Sequence, residues 1–258
     1  GRLMAELAEQ KLRDNTLVFF TSDNGPARTS FHPHGETDGL RDKKGSVFEG
    51  GIRVPGIIRW PGKVKAGSAN HTPISGVDIL PTLCDVTGFK APDDRPLDGT
   101  DISPLFGGKK ITRQQPLYWH FHAARGDRQV AMREGDWKLV GAIDAPPARQ
   151  RAGIDVQDQR DIKSAKLGKM ELYNLKADRA ETRDLASAEP KRFSQMAARM
   201  RKIYSEVQKD SPQWPTWEFT RYESQRIEWP PYRGAKKVPL RKPKIPGDFR
   251  VNPLLKRP

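Results

Sequence analysis

The 258-residue sequence holds a single cysteine, Cys84. One thiol excludes an internal disulfide framework and a cysteine-rich zinc site. Long apolar runs are lacking as well. Nowhere does the chain approach the roughly 20 consecutive apolar residues that cross a bilayer, so no membrane span is expected. No signal peptide is read at the N-terminal end, where Gly1 opens a charged, helix-like stretch. No internal repeat is visible. Apolar residues make up 35% of the chain and charged residues 30%, a polar composition that is still long enough to bury a core.

Acidic residues are in short supply, 32 against 46 basic ones, for a net charge of +14. The shortage is local. Residues 1–110 carry 15 basic and 14 acidic groups, whereas residues 111–258 carry 31 and 18. A surface of that sign attracts polyanions such as nucleic acid, sulfated glycans or anionic lipid. The plainer alternative is a solvated face with a basic tail.

Three regions follow from the pattern. In residues 1–110, the helix formers of 2–13 place Leu3, Leu7 and Leu12 near one face. Thr16 to Thr21 is a continuous β-branched and aromatic run, which predicts a strand buried on both faces of a parallel α/β sheet. It ends in Ser22-Asp23-Asn24-Gly25-Pro26. A long polar loop spans 27–50, a short apolar strand Ile52–Trp60, and a helix Ser75–Thr87 with Gly88 as its stop. A Pro-, Gly- and Asp-rich stretch near 90–116 reads as a boundary. In 111–208, Leu117–Phe121, Gln129–Arg133, Trp137–Val140 and Glu171–Leu175 read as short strands. Glu134-Gly135-Asp136 is a hairpin turn, 144–169 a loop, and 190–208 an amphipathic helix. From 209 on, nine prolines among Trp, Tyr, Lys and Arg read as an extended basic tail.

The chemistry concentrates in the first region. Asp23-Asn24-Gly25 lies at the carboxyl end of a predicted strand, where open α/β sheets bind ligands. A carboxylate beside an amide oxygen offers hard donors, suited to Ca²⁺ or Mg²⁺. The same triplet also makes an ordinary turn. Farther on, Lys44 stands in a glycine-punctuated loop where it can place an ammonium on an anionic ester. His32 and His34 precede it, either as substrate contacts or as decoration of an exposed loop. His120 and His122 share one face of a strand by their spacing. Cys84 reads as a buried residue on the apolar face of its helix.

In order along the chain stand Thr21-Ser22-Asp23-Asn24-Gly25, then Leu40-Arg41-x-x-Lys44-Gly45, then Glu49-Gly50-Gly51-Ile52-Arg53-Val54-Pro55. Trp60-Pro61-Gly62, Val77 to Leu83, Leu97-Asp98-Gly99, Ser103-Pro104-Leu105, Arg133 to Leu139 and Glu171 to Leu175 follow. This succession resembles the type I, formylglycine-dependent sulfatases of the alkaline phosphatase superfamily over residues 1–208. The resemblance implies an α/β alkaline phosphatase-like sandwich, partial in this chain, with a smaller C-terminal α+β subdomain of antiparallel sheet plus helix. It implies an arylsulfatase-like sulfuric ester hydrolase in which Asp23 and Asn24 ligate Ca²⁺, with Mg²⁺ the second choice. Lys44 would be catalytic, contacting a sulfate oxygen, and His34 would bind substrate. Glu49 and Arg53 would brace the loop. The substrate would be a sulfated small molecule or glycan. No specific nucleic acid is implied, and family habit implies a secreted or periplasmic location.

One departure stands out. The nucleophile of that family is a formylglycine made from Cys or Ser in Cys/Ser-x-Pro-x-Arg, and these 258 residues contain no such motif. The expectation is that it lies in an N-terminal part upstream of Gly1, which leaves this fragment inactive by itself. Two rivals follow: a phosphate or phosphonate monoester hydrolase on the same scaffold, and a non-catalytic polyanion-binding remnant.

Overall fold

The structure, a computed structural model, describes residues 1–27, 35–121, 129–145 and 156–211. It divides into two compact units. One comprises Gly1–Asp144 with Lys166–Lys202, the other Ala145–Ala165 with Ile203–Pro258.

The first unit begins with helix α1, Arg2–Glu9, and strand β1, Val18–Thr21. The expected doubly buried parallel strand is not what forms. β1 pairs antiparallel with β2, Gly56–Arg59, with Phe20 opposite Ile57. Both side chains of that pair are largely exposed, at 61% and 59%. An unbroken apolar run reports what a strand prefers to meet, and among the described residues nothing covers this face. Leu3 and Leu12 of the N-terminal segment are exposed too.

Helix α3, Ile79–Thr87, follows a single 3₁₀ turn at Gly76–Asp78. Ser75 and Asp78 form a capping box at its start, and Gly88 ends it at φ +74°, a left-handed geometry that glycine accepts without strain. Cys84 is only half-buried. The inward residue of α3 is Thr82, whose hydroxyl donates to Asp78 O and accepts from Ile102 N–H. Asp78 itself is fully buried. Its carboxylate accepts from Ser75 N–H, Thr100 N–H and the Arg113 guanidinium, tying residues 100 and 113 to the foot of α3.

A four-stranded antiparallel sheet supplies most of the core. Its order is β3 (Leu117–Phe121), β4 (Gln129–Glu134), β5 (Trp137–Asp144) and β6 (Lys166–Asn174). Gly135, at φ +57°, makes the β4–β5 turn. Val130, Ala131, Met132, Leu139 and Leu172 are wholly buried. Helix α5, Pro190–Asp210, adds Met196, Ala197 and Met200. A Cβ on Gly141 would stand 3.3 Å from Met200 Sδ, so α5 crosses the sheet at its glycine.

The polar stretch 144–169 is not one loop. It contains helix α4, Val156–Ser164, and the first residues of β6. In the second unit, Tyr204 Oη and Gln208 Nε2 both donate to Ala165 O, at 3.0 and 2.9 Å. Lys163 Nζ caps the end of α5 at Gln208 O and Ser211 Oγ, both 2.8 Å away. The tail read from 209 lies outside the described residues beyond Ser211.

Candidate active site

Two loops are laced together at the end of β1. Gly25 N–H donates to Gly51 O at 2.8 Å, and Lys44 N–H to Pro26 O at 3.2 Å. Gly50 N–H closes the second loop on Arg41 O at 2.8 Å. The approach is too close for side chains: a Cβ on Gly25 would lie 1.9 Å from Gly50 O, and one on Gly50 2.2 Å from Asp42 O. These glycines admit contact between backbones that no other residue allows. The lacing brings the Asp23-Asn24 segment and the Lys44 segment into one neighbourhood. Asp23 and Lys44 are exposed there and Asn24 is half-buried. Ser22 Oγ donates to Asn24 O at 2.9 Å, tightening the turn that presents the two oxygen-bearing side chains.

Beneath the Lys44 loop the chain turns inward. Ser46 to Gly51 are all buried. Val47 and Phe48 pack with Ala131, Val140, Tyr173 and Leu175, so the sheet and not the N-terminal helix forms the seat of this loop. The Arg41 guanidinium lies 3.6 Å from the centre of the Phe48 ring. It also donates to Tyr173 Oη at 3.0 Å and to Glu181 O at 2.9 Å. Burial, then the hydrogen bond to Glu171, pushes the Tyr173 phenol up from its ordinary value, so it stays a neutral donor at Glu171.

Glu49, the first residue of the short helix α2 (Glu49–Ile52), is almost wholly buried. Its carboxylate meets Lys138 Nζ at 3.0 Å and Arg133 Nη1 at 3.3 Å, with Arg53 Nη1 at 3.7 Å. Lys138 is itself fully buried in β5. It reaches Glu181 Oε1 at 2.8 Å, an ion pair off the line of a hydrogen bond, while Glu181 Oε2 accepts Glu49 N–H at 2.6 Å. Burial raises the Glu181 carboxyl above its ordinary value, opposed by Lys138 and by the Glu49 amide. Burial also lowers the Arg133 pKa, with Glu49 pulling it back up.

Of the residues singled out from the sequence, Asp23, Asn24 and Lys44 lie on adjoining segments, Glu49 is buried beneath the loop among cations, and Arg53 reaches only Glu49, at 3.7 Å. His32, His34 and His122 lie outside the described residues. His120 is half-buried on β3, its Nδ1 3.4 Å from Tyr118 Oη. Arg41, Arg133, Lys138 and Tyr173 stood in the quoted motifs without a role of their own, and Glu181 stood in none. Lys138 left one signal, a lone cation beside the apolar Leu139-Val140 run. Glu181 left none.

The donor pair suits a hard cation. A carboxylate and an amide oxygen adjoin at a strand end, but a calcium ion takes about six to eight oxygens. Among the described residues no cluster of three or more His, Cys, Asp or Glu stands ready to hold a metal. By themselves, the side-chain oxygens of Asp23 and Asn24 fall short of such a coordination sphere.

At the end of β1, then, two loops are laced together, one carrying two oxygen-bearing side chains and the other an exposed ammonium. Comparison with known proteins shows what the chain is similar to. Residues 1–89 match the sulfatase family model. Steryl-sulfatase of Rattus norvegicus is 37% identical over 126 residues, 47% of this chain and 22% of that protein. N-acetylgalactosamine-6-sulfatase of Canis lupus familiaris is 36% identical over 139 residues, 54% of this chain and 26% of that protein. Among solved structures, that of Ps i-CgsB in complex with k-i-k-neocarrahexaose matches with a TM-score of 0.63 and 28% identity, over 79% of this chain and 40% of that one. The chain thus spans about a quarter of the length of these curated relatives. It is similar to sulfatases through the family model over residues 1–89 and through relatives matched over about half of its length, and its fold matches that of the solved structure.

Proposed function

We propose that these residues form one side of the active site of a sulfuric ester hydrolase acting on a sulfated small molecule or glycan. The observation that carries the reading is the backbone lacing of Gly25 to Gly51 and of Lys44 to Pro26. It joins the backbone of the Asp23-Asn24 segment to that of the Lys44 segment, which supports a shared site for these side chains. Lys44 sits against a sulfate oxygen and neutralises the charge that grows there as the S–O bond breaks. Asp23 and Asn24 hold Ca²⁺, in preference to Mg²⁺. When bound, that cation fixes the sulfate and withdraws charge from its oxygens. His34 contacts the substrate. No residue of this chain offers the motif from which formylglycine is made, so that nucleophile is assigned outside these 258 residues and no step is routed through it.

A glycan substrate is supported by the sugar named in the N-acetylgalactosamine-6-sulfatase relative and by the oligosaccharide in the matching structure. No helix among the described residues is long and apolar enough to cross a membrane, and a secreted or periplasmic location follows the habit of the family.

The test uses the intact protein and the sulfate and phosphate monoesters of one phenol. Sulfate is the faster substrate. Asp23→Ala and Lys44→Ala each lower its turnover by about 10²–10³-fold or more, the loss typical of one transition-state contact. Faster turnover of phosphate would instead make the protein a phosphate or phosphonate monoester hydrolase. Turnover of neither ester, with salt-sensitive polyanion binding that survives Lys44→Ala, would make it a binding protein, and full activity in either variant would overturn the assignment of Asp23 and Lys44.

A further inference from the structure

We infer that Lys138 is a positioning residue for the Lys44 loop, acting through Glu49 and Glu181 across the buried face of the sheet. This role rests on the sulfatase reading above. Lys138 itself is fully buried and touches no substrate surface.

The physical case starts from burial. An ammonium and two carboxylates with essentially no solvent contact persist only where each compensates the others. They come from three places: Lys138 from β5, Glu49 from α2, and Glu181 from the turn after β6. Glu181 holds a φ of +54°, a left-handed conformation that a glutamate keeps only when its surroundings enforce it. The enforcement is visible on both sides of the residue. Its side chain accepts Glu49 N–H and pairs with Lys138, and its carbonyl accepts Arg41.

From there an unbroken path of polar contacts leads to the site. Lys138 fixes Glu49 and Glu181. Glu181 fixes the backbone of residue 49 and the side chain of Arg41. Arg41 O accepts Gly50 N–H, Gly51 O accepts Gly25 N–H, and Pro26 O accepts Lys44 N–H. Both ends of the segment bearing Lys44 are thereby held, and so is the loop bearing Asp23 and Asn24. Opposite charges paired in a dry interior, where their attraction is little screened, rigidify what they touch. Groups that act on a reacting centre need that rigidity from the layer behind them.

Lys138→Met in the intact protein tests this, with Glu181→Gln as a milder companion that keeps the side-chain shape and an acceptor for Glu49 N–H. Two readouts are taken: steady-state turnover of an aryl sulfate, and hydrogen exchange of peptides covering 20–53 against a control covering α3. Lys138→Met lowers kcat by about 10²-fold, the loss expected from an ångström-scale misplacement, and leaves KM within about threefold. Exchange of the Gly25, Lys44 and Gly50 amides quickens at least about tenfold while α3 keeps its protection. Glu181→Gln shifts both in the same direction by less, and carries the test alone if Lys138→Met does not fold. Exchange that rises equally in both peptides, or a loosened loop with wild-type kcat, overturns the positioning role. Lys44→Ala is assayed alongside. If Lys44→Ala is dead and Lys138→Met is normal, the positioning role alone fails. If Lys44→Ala turns over normally, the assignment of Lys44 fails and takes the positioning role with it, and if the wild-type protein turns over no aryl sulfate, the sulfatase reading itself fails.

Discussion

The first compact unit contains two regions that treat their apolar residues in opposite ways. Around β1, β2 and α3, large side chains stand in the open: Phe20, Ile57, Leu80, Leu83 and Phe89 are all exposed, and α1 buries no residue at all. In the sheet β3–β6 and the α5 residues crossing it, Met132, Leu139, Leu172 and Met200 are fully enclosed. The Lys44 loop belongs to the first region by sequence and to the second by packing. Val47 and Phe48 lie in the same buried cluster as Ala131, Val140, Tyr173 and Leu175, and Glu49 is neutralised from β4 and β5. The candidate site thus draws its rigidity from the region that holds none of its ligands.

That contrast can be broken experimentally. The largest effect is expected from Glu49→Leu, which strands Lys138 and Arg133 without their shared carboxylate. Removing one partner of a buried pair costs about 3–5 kcal/mol. Urea unfolding of the chain reads it, and a loss under about 1 kcal/mol would mean the cluster is as weak as a surface pair. Next comes a matched comparison of the two regions. Met200→Ala leaves a cavity against Gly141 and lowers stability by about 2–5 kcal/mol, whereas Phe20→Ser, at an open position, changes it by no more than about 0.5 kcal/mol. Equal losses would erase the difference between the regions. The subtlest effect is one of pH. Burial raises the Glu181 carboxyl above its ordinary 4.5, so the folded chain holds this proton more tightly than the unfolded one. Its contribution is full below pH 4.5 and is lost as pH rises through the folded pKa. In Glu181→Gln that part of the decline disappears, and urea midpoints collected upward from pH 4.5 show whether the slope has changed.

Local structure was largely legible. Leu117–Phe121 is a strand at both predicted ends, Gly88 stops α3, and the spacing of Phe193, Met196, Ala197, Met200 and Tyr204 marks α5, because in each case the signal lies within one element. What escaped was decided between elements. The Thr16–Thr21 run shows an apolar preference but not which strand meets it, and it meets β2 with a face left open. Helix α4 hid in a polar stretch with little apolar periodicity to betray it. The segments bearing Asp23, Asn24 and Lys44 stood out because their spacing is a motif. Lys138 did not, since a charged residue normally signals the surface, and its partner Glu49 is 89 positions away.

Those separations set a clock for assembly. The bond from Arg41 to Glu181 O spans 140 positions, and at typical synthesis rates of about 5–20 residues per second the Lys44 loop leaves the ribosome on the order of ten seconds before the residue that locks it. Until then its glycine-rich backbone has no seat. A cell making this protein must keep that early segment, with Phe20 and Ile57 in the open, from other strands for the whole interval.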